Sequence, residues 1–400
     1  MIDSVRVEGN KKTRDQVILR EIPFTFPDSL NEEDILYIQN RIQNLFLFNQ
    51  VQISFQQENP KTVMVIHVKE TWYIYPVPVL FINDRDWSKW SYGFTVTHYN
   101  FRGMNEKLSF GGWAGFNPSF FINYTNPWIG RKARLTMGFS IFKRIVENRF
   151  FLFDEDHLGF GFDFGKRLTL TKSFQVFFNL QRIEFPEEYD PLTVSQTGTD
   201  YEPKYGLNLR HDNRDLIEYP MQGKLVNWRI TKAGFNDQQP QFLRLELDHR
   251  LYQKISPRLS LGAGNYLNLN WGDLPIYDKV FIGFGRRIRG YWGRVWTAQY
   301  LMLQTFEARI PILPVRYASW KKAPYFSSFF QGLKYGASVT FFMDTGIPWN
   351  HSYQFALNNF FTGYGVGINF RLPYVYVLRL EFAVNDKGQT QWIFDAGVSF

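Results

Sequence analysis

Leu243-Arg244-Leu245-Glu246-Leu247-Asp248-His249-Arg250-Leu251 alternates at every step, with Leu, Leu, Leu, His and Leu on one face and Arg, Glu, Asp and Arg on the other. Period two belongs to an extended strand, and such a strand must stand between an apolar and a polar medium. The same split recurs at Leu135/Met137/Phe139/Ile141 against Thr136/Gly138/Ser140 and at Leu378/Leu380/Phe382 against Arg379/Glu381. In the last segment Trp392, Phe394, Ala396, Val398 and Phe400 oppose Asp395, Gly397 and Ser399. A soluble sandwich would turn the apolar face to a second sheet; a membrane barrel turns it to lipid and keeps the charged face in a wet lumen. Alternation alone leaves both open.

Composition and strand count favour the barrel. The 400 residues include 41 Phe, 22 Tyr and 12 Trp, an aromatic load that suits membrane–water interfaces. No run of about 20 apolar residues is present, so the chain has no helical span. Its longest uncharged stretch, Ser109 to Gly130, is broken by glycines and by Pro118 and Pro127 and reads as two strands. Sixteen strands are expected near 72–82, 91–99, 105–115, 119–127, 132–144, 156–167, 173–185, 203–212, 223–235, 241–254, 258–270, 297–310, 332–345, 362–373, 375–384 and 389–400. An even count of antiparallel strands of this length is what closure in lipid demands.

Residues 1–71 read differently. Ile2 to Val7 alternate, and Thr13-Arg14-Asp15-Gln16 and Ser29-Leu30-Asn31-Glu32 have the form of capping boxes opening two helices. In the second, Ile35, Ile38, Ile42, Leu45 and Phe46 form one apolar stripe. Strands at 51–55 and 63–68 come next, joined across Asn59-Pro60-Lys61, giving the order β-α-α-β-β. This module holds eight basic and ten acidic residues, net −2, which leaves +10 to the rest of a chain whose total is +8. The absence of Cys excludes disulfide scaffolds and thiolate metal sites. No signal peptide precedes the first strand, so either a targeting segment is expected to have been removed or the sequence starts within a longer protein.

The module resembles a POTRA (polypeptide-transport-associated) domain, in strand order and in Val5-Arg6-Val7-Glu8-Gly9-Asn10 and Arg41-Ile42-Gln43-Asn44-Leu45-Phe46. The remainder of the chain resembles the sixteen-stranded barrel of the BamA/TamA superfamily of bacterial surface antigens. In order, the matching patches are Asn100-Phe101-Arg102-Gly103, Tyr124-Thr125-Asn126-Pro127-Trp128, Arg210-His211-Asp212-Asn213-Arg214-Asp215 with Pro220-Met221-Gln222-Gly223, then Ile288-Arg289-Gly290-Tyr291. The last has the form of the family's (V/I)RG(F/Y) loop motif. Phe306-Glu307-Ala308-Arg309-Ile310-Pro311 and Phe342-Met343-Asp344-Thr345-Gly346 match two barrel-wall motifs with acidic partners. The resemblance implies a membrane all-β fold: a POTRA domain at 1–71, periplasmic, and at 72–400 an outer-membrane barrel of a Gram-negative bacterium with a long inward loop at 271–296.

If that loop folds into the barrel, Arg289 needs a carboxylate, because a guanidinium away from bulk water is costly unless paired. Alternation turns Glu307 and Asp344 inward, so they are the expected clamp. The alternative is a solvated loop whose arginines meet lipopolysaccharide. A second expectation concerns the seam between first and last strands, which in this superfamily is thought to open toward lipid. Pro76 and Pro78 lack N–H donors and turn to the same strand edge. They either weaken closure against the last strand, with Trp392, Phe394, Gly397 and Phe400, or lie before pairing begins.

Chemistry is not written in the chain. The six His are scattered without metal-ligand spacing, and nucleophile-elbow and phosphate-loop motifs are missing, so no enzyme, metal or cofactor is expected. The basic surplus lacks a stripe that would bind nucleic acid. The resemblance implies an assembly or translocation factor for outer-membrane or secreted polypeptides. Its contacts would be unfolded clients, the bilayer with its lipopolysaccharide, and periplasmic or lipoprotein accessory subunits. A two-partner secretion pore, the anchor of a lost N-terminal enzymatic domain, or a soluble carbohydrate-binding β protein are the alternatives.

Overall fold

A computed structural model describes residues 1–83, 86–130, 132–283, 286–291, 293–320, 330–374 and 376–397. The N-terminal module opens with β1 (Ser4–Glu8), then α1 (Asp15–Leu19) and α2 (Glu32–Gln43), then β2 (Phe48–Glu58) and β3 (Lys61–Glu70). β3 lies between β1, to which it is parallel, and β2, to which it is antiparallel. Ile38 and Ile42 of α2 are sealed against Val51, Met64 and Ile66 of the sheet, with Val17 and Ile18 of α1 in the same core. Burial of such side chains stabilises by roughly 1.5–3 kcal/mol each.

Neither capping box forms where the spacing placed it. Arg14, not Thr13, precedes α1 and makes no side-chain cap. Thr13 instead bonds the Tyr73 hydroxyl at 2.8 Å and accepts from Asn100 Nδ2 at 2.9 Å, so it ties the module to the barrel. At α2 the cap shifts two residues: Asn31 Oδ1 accepts from Asp34 N, and the Asp34 carboxylate accepts from Asn31 N. An Asx side chain next to the first turn outcompetes a serine placed further back. α2 ends at Gln43, so Leu45 and Phe46 lie beyond the helix; Leu45 still packs on the core, whereas Phe46, at φ +58, leaves the helical path.

The rest of the chain forms one sixteen-stranded antiparallel sheet in sequence order. Its strands are β4 (Ile74–Ile82), β5 (Trp90–Phe101), β6 (Glu106–Gly115), β7 (Ser119–Ile129), β8 (Leu135–Glu147), β9 (Asp154–Arg167), β10 (Lys172–Glu184) and β11 (Thr199–Asp212). They continue as β12 (Gly223–Ala233), β13 (Phe242–Ser256) and β14 (Leu259–Gly272). A short hairpin, β15 (Val280–Ile282) with β16 (Trp296–Ala298), interrupts the order before β17 (Tyr300–Ala318), β18 (Leu333–Trp349), β19 (Phe361–Leu372), β20 (Tyr376–Asn385) and β21 (Thr390–Ala396). The strand expected at 297–310 therefore begins later: residues 296–298 leave the wall for the hairpin, and pairing with β14 starts at Leu301. The ladder of the last strand reaches Ala396, and the expected Phe400 lies outside the described residues.

Alternation sorts the faces. On β9, Leu158, Phe160, Phe162 and Phe164 are each about 40% exposed, whereas Glu155 and His157 at the intervening phase are buried. Phe306, Phe341 and Met343 likewise face out while Glu307 and Asp344 are buried. Large apolar side chains outside and ion pairs inside reverse the soluble arrangement, and only a lipid surround makes that favourable. The sheet rolls round: Tyr75 on β4 lies 6.4 Å, ring to ring, from Tyr374 in the β19–β20 turn. No ladder between β4 and β21 is present among the described residues.

Candidate functional site: a clamped loop on the inner wall

The segment between β14 and β17 turns back onto the inner wall. Ile288, almost fully buried, packs with Ile282, Leu301 and Leu303, which anchors the chain just before Arg289. Gly290 sits at φ +94, a left-handed conformation costly for any side chain, and its carbonyl accepts from Asn385 Nδ2 at 3.1 Å. Across from it, a Cβ on Gly363 would stand 1.7 Å from the Arg289 carbonyl oxygen, so β19 needs glycine where the loop backbone crosses. Tyr291 packs edge-on against Trp296 and Phe361 and donates its hydroxyl to Asp386.

Between these anchors Arg289, 4% exposed, meets three strands at once. Its Nε and Nη2 donate to the two oxygens of Asp344 on β18, both at 2.7 Å, and its backbone N–H reaches the same carboxylate at 3.0 Å. Nη1 donates to Glu307 on β17 at 2.8 Å and to Glu381 on β20 at 3.0 Å, while the guanidinium lies 3.7 Å above the Phe342 ring. The fork on Asp344 gives direction as well as attraction, and ring contact replaces water on the guanidinium face.

The charges form a row. Arg309 donates to the second oxygen of Glu307 through Nε (2.9 Å) and Nη2 (2.8 Å). Arg379 bonds Glu381 and extends to Asp395 on β21 at 2.7 Å. Arg289, Arg309 and Arg379 thus balance Glu307, Asp344 and Glu381, which removes the main penalty of burying six charges. Glu381 and Arg379 sit on the inner phase of a strand legible in the sequence, but which inward charge Arg289 meets depends on the roll of the sheet. Of the other loop arginines, Arg286 reaches Asp248 on β13 at 2.7 Å and stacks over Tyr266.

An Omp85 superfamily domain matches residues 100–400, and a POTRA domain, described as surface antigen variable number repeat, matches 1–71. The chain belongs to the Omp85 superfamily. Among curated proteins, this Omp85 chain is similar to the outer membrane protein assembly factor BamA of Nitratidesulfovibrio vulgaris, 22% identical over 300 residues covering 72% of the chain. It spans only 37% of that relative's length. Among solved structures it resembles BamA from Haemophilus ducreyi lacking POTRA domains 1–3, with TM-score 0.56, 14% identity and coverage of 99% of this chain and 84% of that one. CdiB from Escherichia coli gives TM-score 0.57 and 14% identity, covering 99% and 76%. These likenesses show a shared fold over nearly the whole chain.

The seam residues of this Omp85 barrel are not gathered with the clamp. Pro76 and Pro78 lie within the ladder of β4, opposite Val96 and Phe94, so pairing begins before them, at Ile74. On the β5 side, then, both prolines stand inside a paired stretch. An unbroken antiparallel ladder uses the N–H groups of alternate residues, which proline cannot supply, so both nitrogens face away from β5. On β21, Trp392 and Phe394 are each 69% exposed on the outer face. Gly397 comes next at φ +91, and its N–H bonds Val377 O.

Proposed function

We propose that this chain is a non-catalytic outer-membrane factor that assembles or translocates polypeptide clients. The clamp's run to the last strand carries the reading: Arg289, Glu381, Arg379 and Asp395 are ion-paired in sequence, which links the lumen loop to β21, beside the proline-weakened edge of β4. A loop held this way sets the position of the strands that border the seam. Clients enter from the POTRA side, where β1 and β2 are the sheet edges that can accept an extended strand through main-chain bonds. The client then passes through the β4/β21 seam or the lumen. Periplasmic or lipoprotein subunits and lipopolysaccharide are the expected surroundings, and the role of the BamA relative supports the assembly reading.

Reconstituted in liposomes, the protein should accelerate folding of a small barrel client, read as the heat-modifiable fraction on gels. Arg289→Ala should lower that yield several-fold. Unchanged client folding by this variant rejects the assigned role.

A second reading, a secretion pore, is favoured by one observation. A cavity of about 310 Å³ lies along β6 to β9, lined by Lys107, Ser109, Asn123, Thr125, Ser140 and Asp163 together with the rings of Tyr124 and Phe139. Ion conductance in planar bilayers that persists with the clamp intact would support it over the seam.

A further inference from the structure

The stretch from Arg210 to Gly223 carries a sequence signature that the clamp does not use. It forms the end of β11 and the ten-residue turn 213–222, on the POTRA side of the barrel. Asp215 builds the turn from within: its Oδ1 accepts from Leu216 N (2.8 Å), Met221 N (3.0 Å) and Gln222 N (3.3 Å). Arg214, nearly buried, forks onto Asp212 at 2.8 Å twice.

This turn faces two ways. Toward the POTRA domain, the side-chain amide of Asn44, the C-cap residue of α2, donates to Asp215 O and accepts from Ile217 N, both at 2.9 Å. Toward the lumen, Tyr219 is 3% exposed between the guanidiniums of Arg309 (4.8 Å) and Arg371 (5.1 Å), with its hydroxyl 3.3 Å from Thr340 Oγ1. Pro220 O accepts from Arg309 Nη1 at 2.6 Å, and Met221 O from Ser260 Oγ at 2.6 Å.

Arg309 is where the turn meets the clamp. It is fully buried, lies 4.8 Å from the Tyr252 ring as well as from Tyr219, and donates to Pro220 O and to one oxygen of Glu307, whose other oxygen accepts from Arg289. We propose that the 213–222 turn is a plug that couples POTRA position to the Arg289 clamp, with Asn44, Tyr219 and Arg309 as positioning residues. A buried guanidinium that loses its carbonyl acceptor and one of its two rings draws harder on the nearest carboxylate. Here that carboxylate is Glu307, so freeing the turn sets Arg309 in competition with Arg289 and loosens the loop. Coupling of this kind needs no new contact at the loop itself.

The chain has no cysteine, so single thiols report local opening. Ala298→Cys places one in β16 under the loop, where Ala298 is 2% exposed; Ser109→Cys places a control on the far wall, where Ser109 is 5% exposed. Maleimide labelling is followed in liposomes for each reporter, so the readout does not depend on any client. Asn44→Ala should raise the labelling rate at position 298 at least threefold and leave position 109 unchanged. Asn44→Asp, which keeps the acceptor for Ile217 N, should fall between. Tyr219→Phe should raise the rate less than Tyr219→Ala, since the ring still covers Arg309. Equal rates at 298 with and without Asn44→Ala, or parallel increases at 298 and 109, would overturn the coupling. Asn44 lies at the module's surface, so this arm remains decisive even if Tyr219→Ala fails to fold.

Discussion

Arg289 is held by geometry more than by charge alone. Both oxygens of Asp344 are taken by N–H groups of Arg289, so the residue that replaces arginine must supply a planar fork. Arg289→Ala leaves Asp344 buried and unpaired and should cost about 3–5 kcal/mol, as breaking a buried pair does. Denaturant midpoints of the barrel measure that cost. Arg289→Lys should recover only part of it, because a point charge cannot serve Asp344, Glu307 and Glu381 together. Charge on the inner phase was legible from alternation, as it was for Glu307 and Asp344. Glu381 and Arg309 were equally inward by pattern, but nothing in a linear sequence says that β20 comes within reach of a loop 92 residues earlier.

At the scale of the element, strand positions were read closely because lipid imposes a strict period of two on both faces. The pattern and the strands part where a strand changes partner, and the helix caps shift where another residue lies closer to the first turn. Thr297 and Ala298 have the pattern of a wall strand, but with Trp296 they pair with β15 in the hairpin. Two elements carry predictions. Gly363→Ala on β19 puts a methyl group at the Arg289 carbonyl, so the loop should be displaced, seen as faster protease cutting between β14 and β17 at unchanged barrel yield. On β4, the double change Pro76→Val and Pro78→Val restores two donors to the edge that faces away from β5. Each added ladder bond is worth about 0.5–1.5 kcal/mol. The variant should resist heat-induced unfolding on gels more than the parent while folding clients more slowly. If client folding is unaffected, the seam edge is not limiting.

For the whole molecule, the junction of POTRA and barrel decides how the parts act together. Glu21, buried, accepts from Arg41 of its own domain and from Arg167 at the end of β9 at 3.3 Å. Beside it Arg20 lies over Trp128, 4.9 Å from the ring centroid, and burial pulls its guanidinium down to about 10 despite the neighbouring Glu21. Glu21→Gln strands Arg41 and Arg167 and should cost about 2–3 kcal/mol, less than a fully buried pair because both arginines keep some water. The expected sign is new protease cutting in the 70–74 connection with the barrel intact. The sequence by itself determined an α/β module followed by sixteen strands, and which side chains face lipid, because periodicity acts over a few neighbours. Only the tertiary structure decided which inward charges meet, how the 213–222 turn joins Asn44 to Arg309, and where the loop backbone crosses Gly363. Those contacts join residues tens to hundreds of positions apart, and the roll of the sheet that creates them is a property of all the strands together.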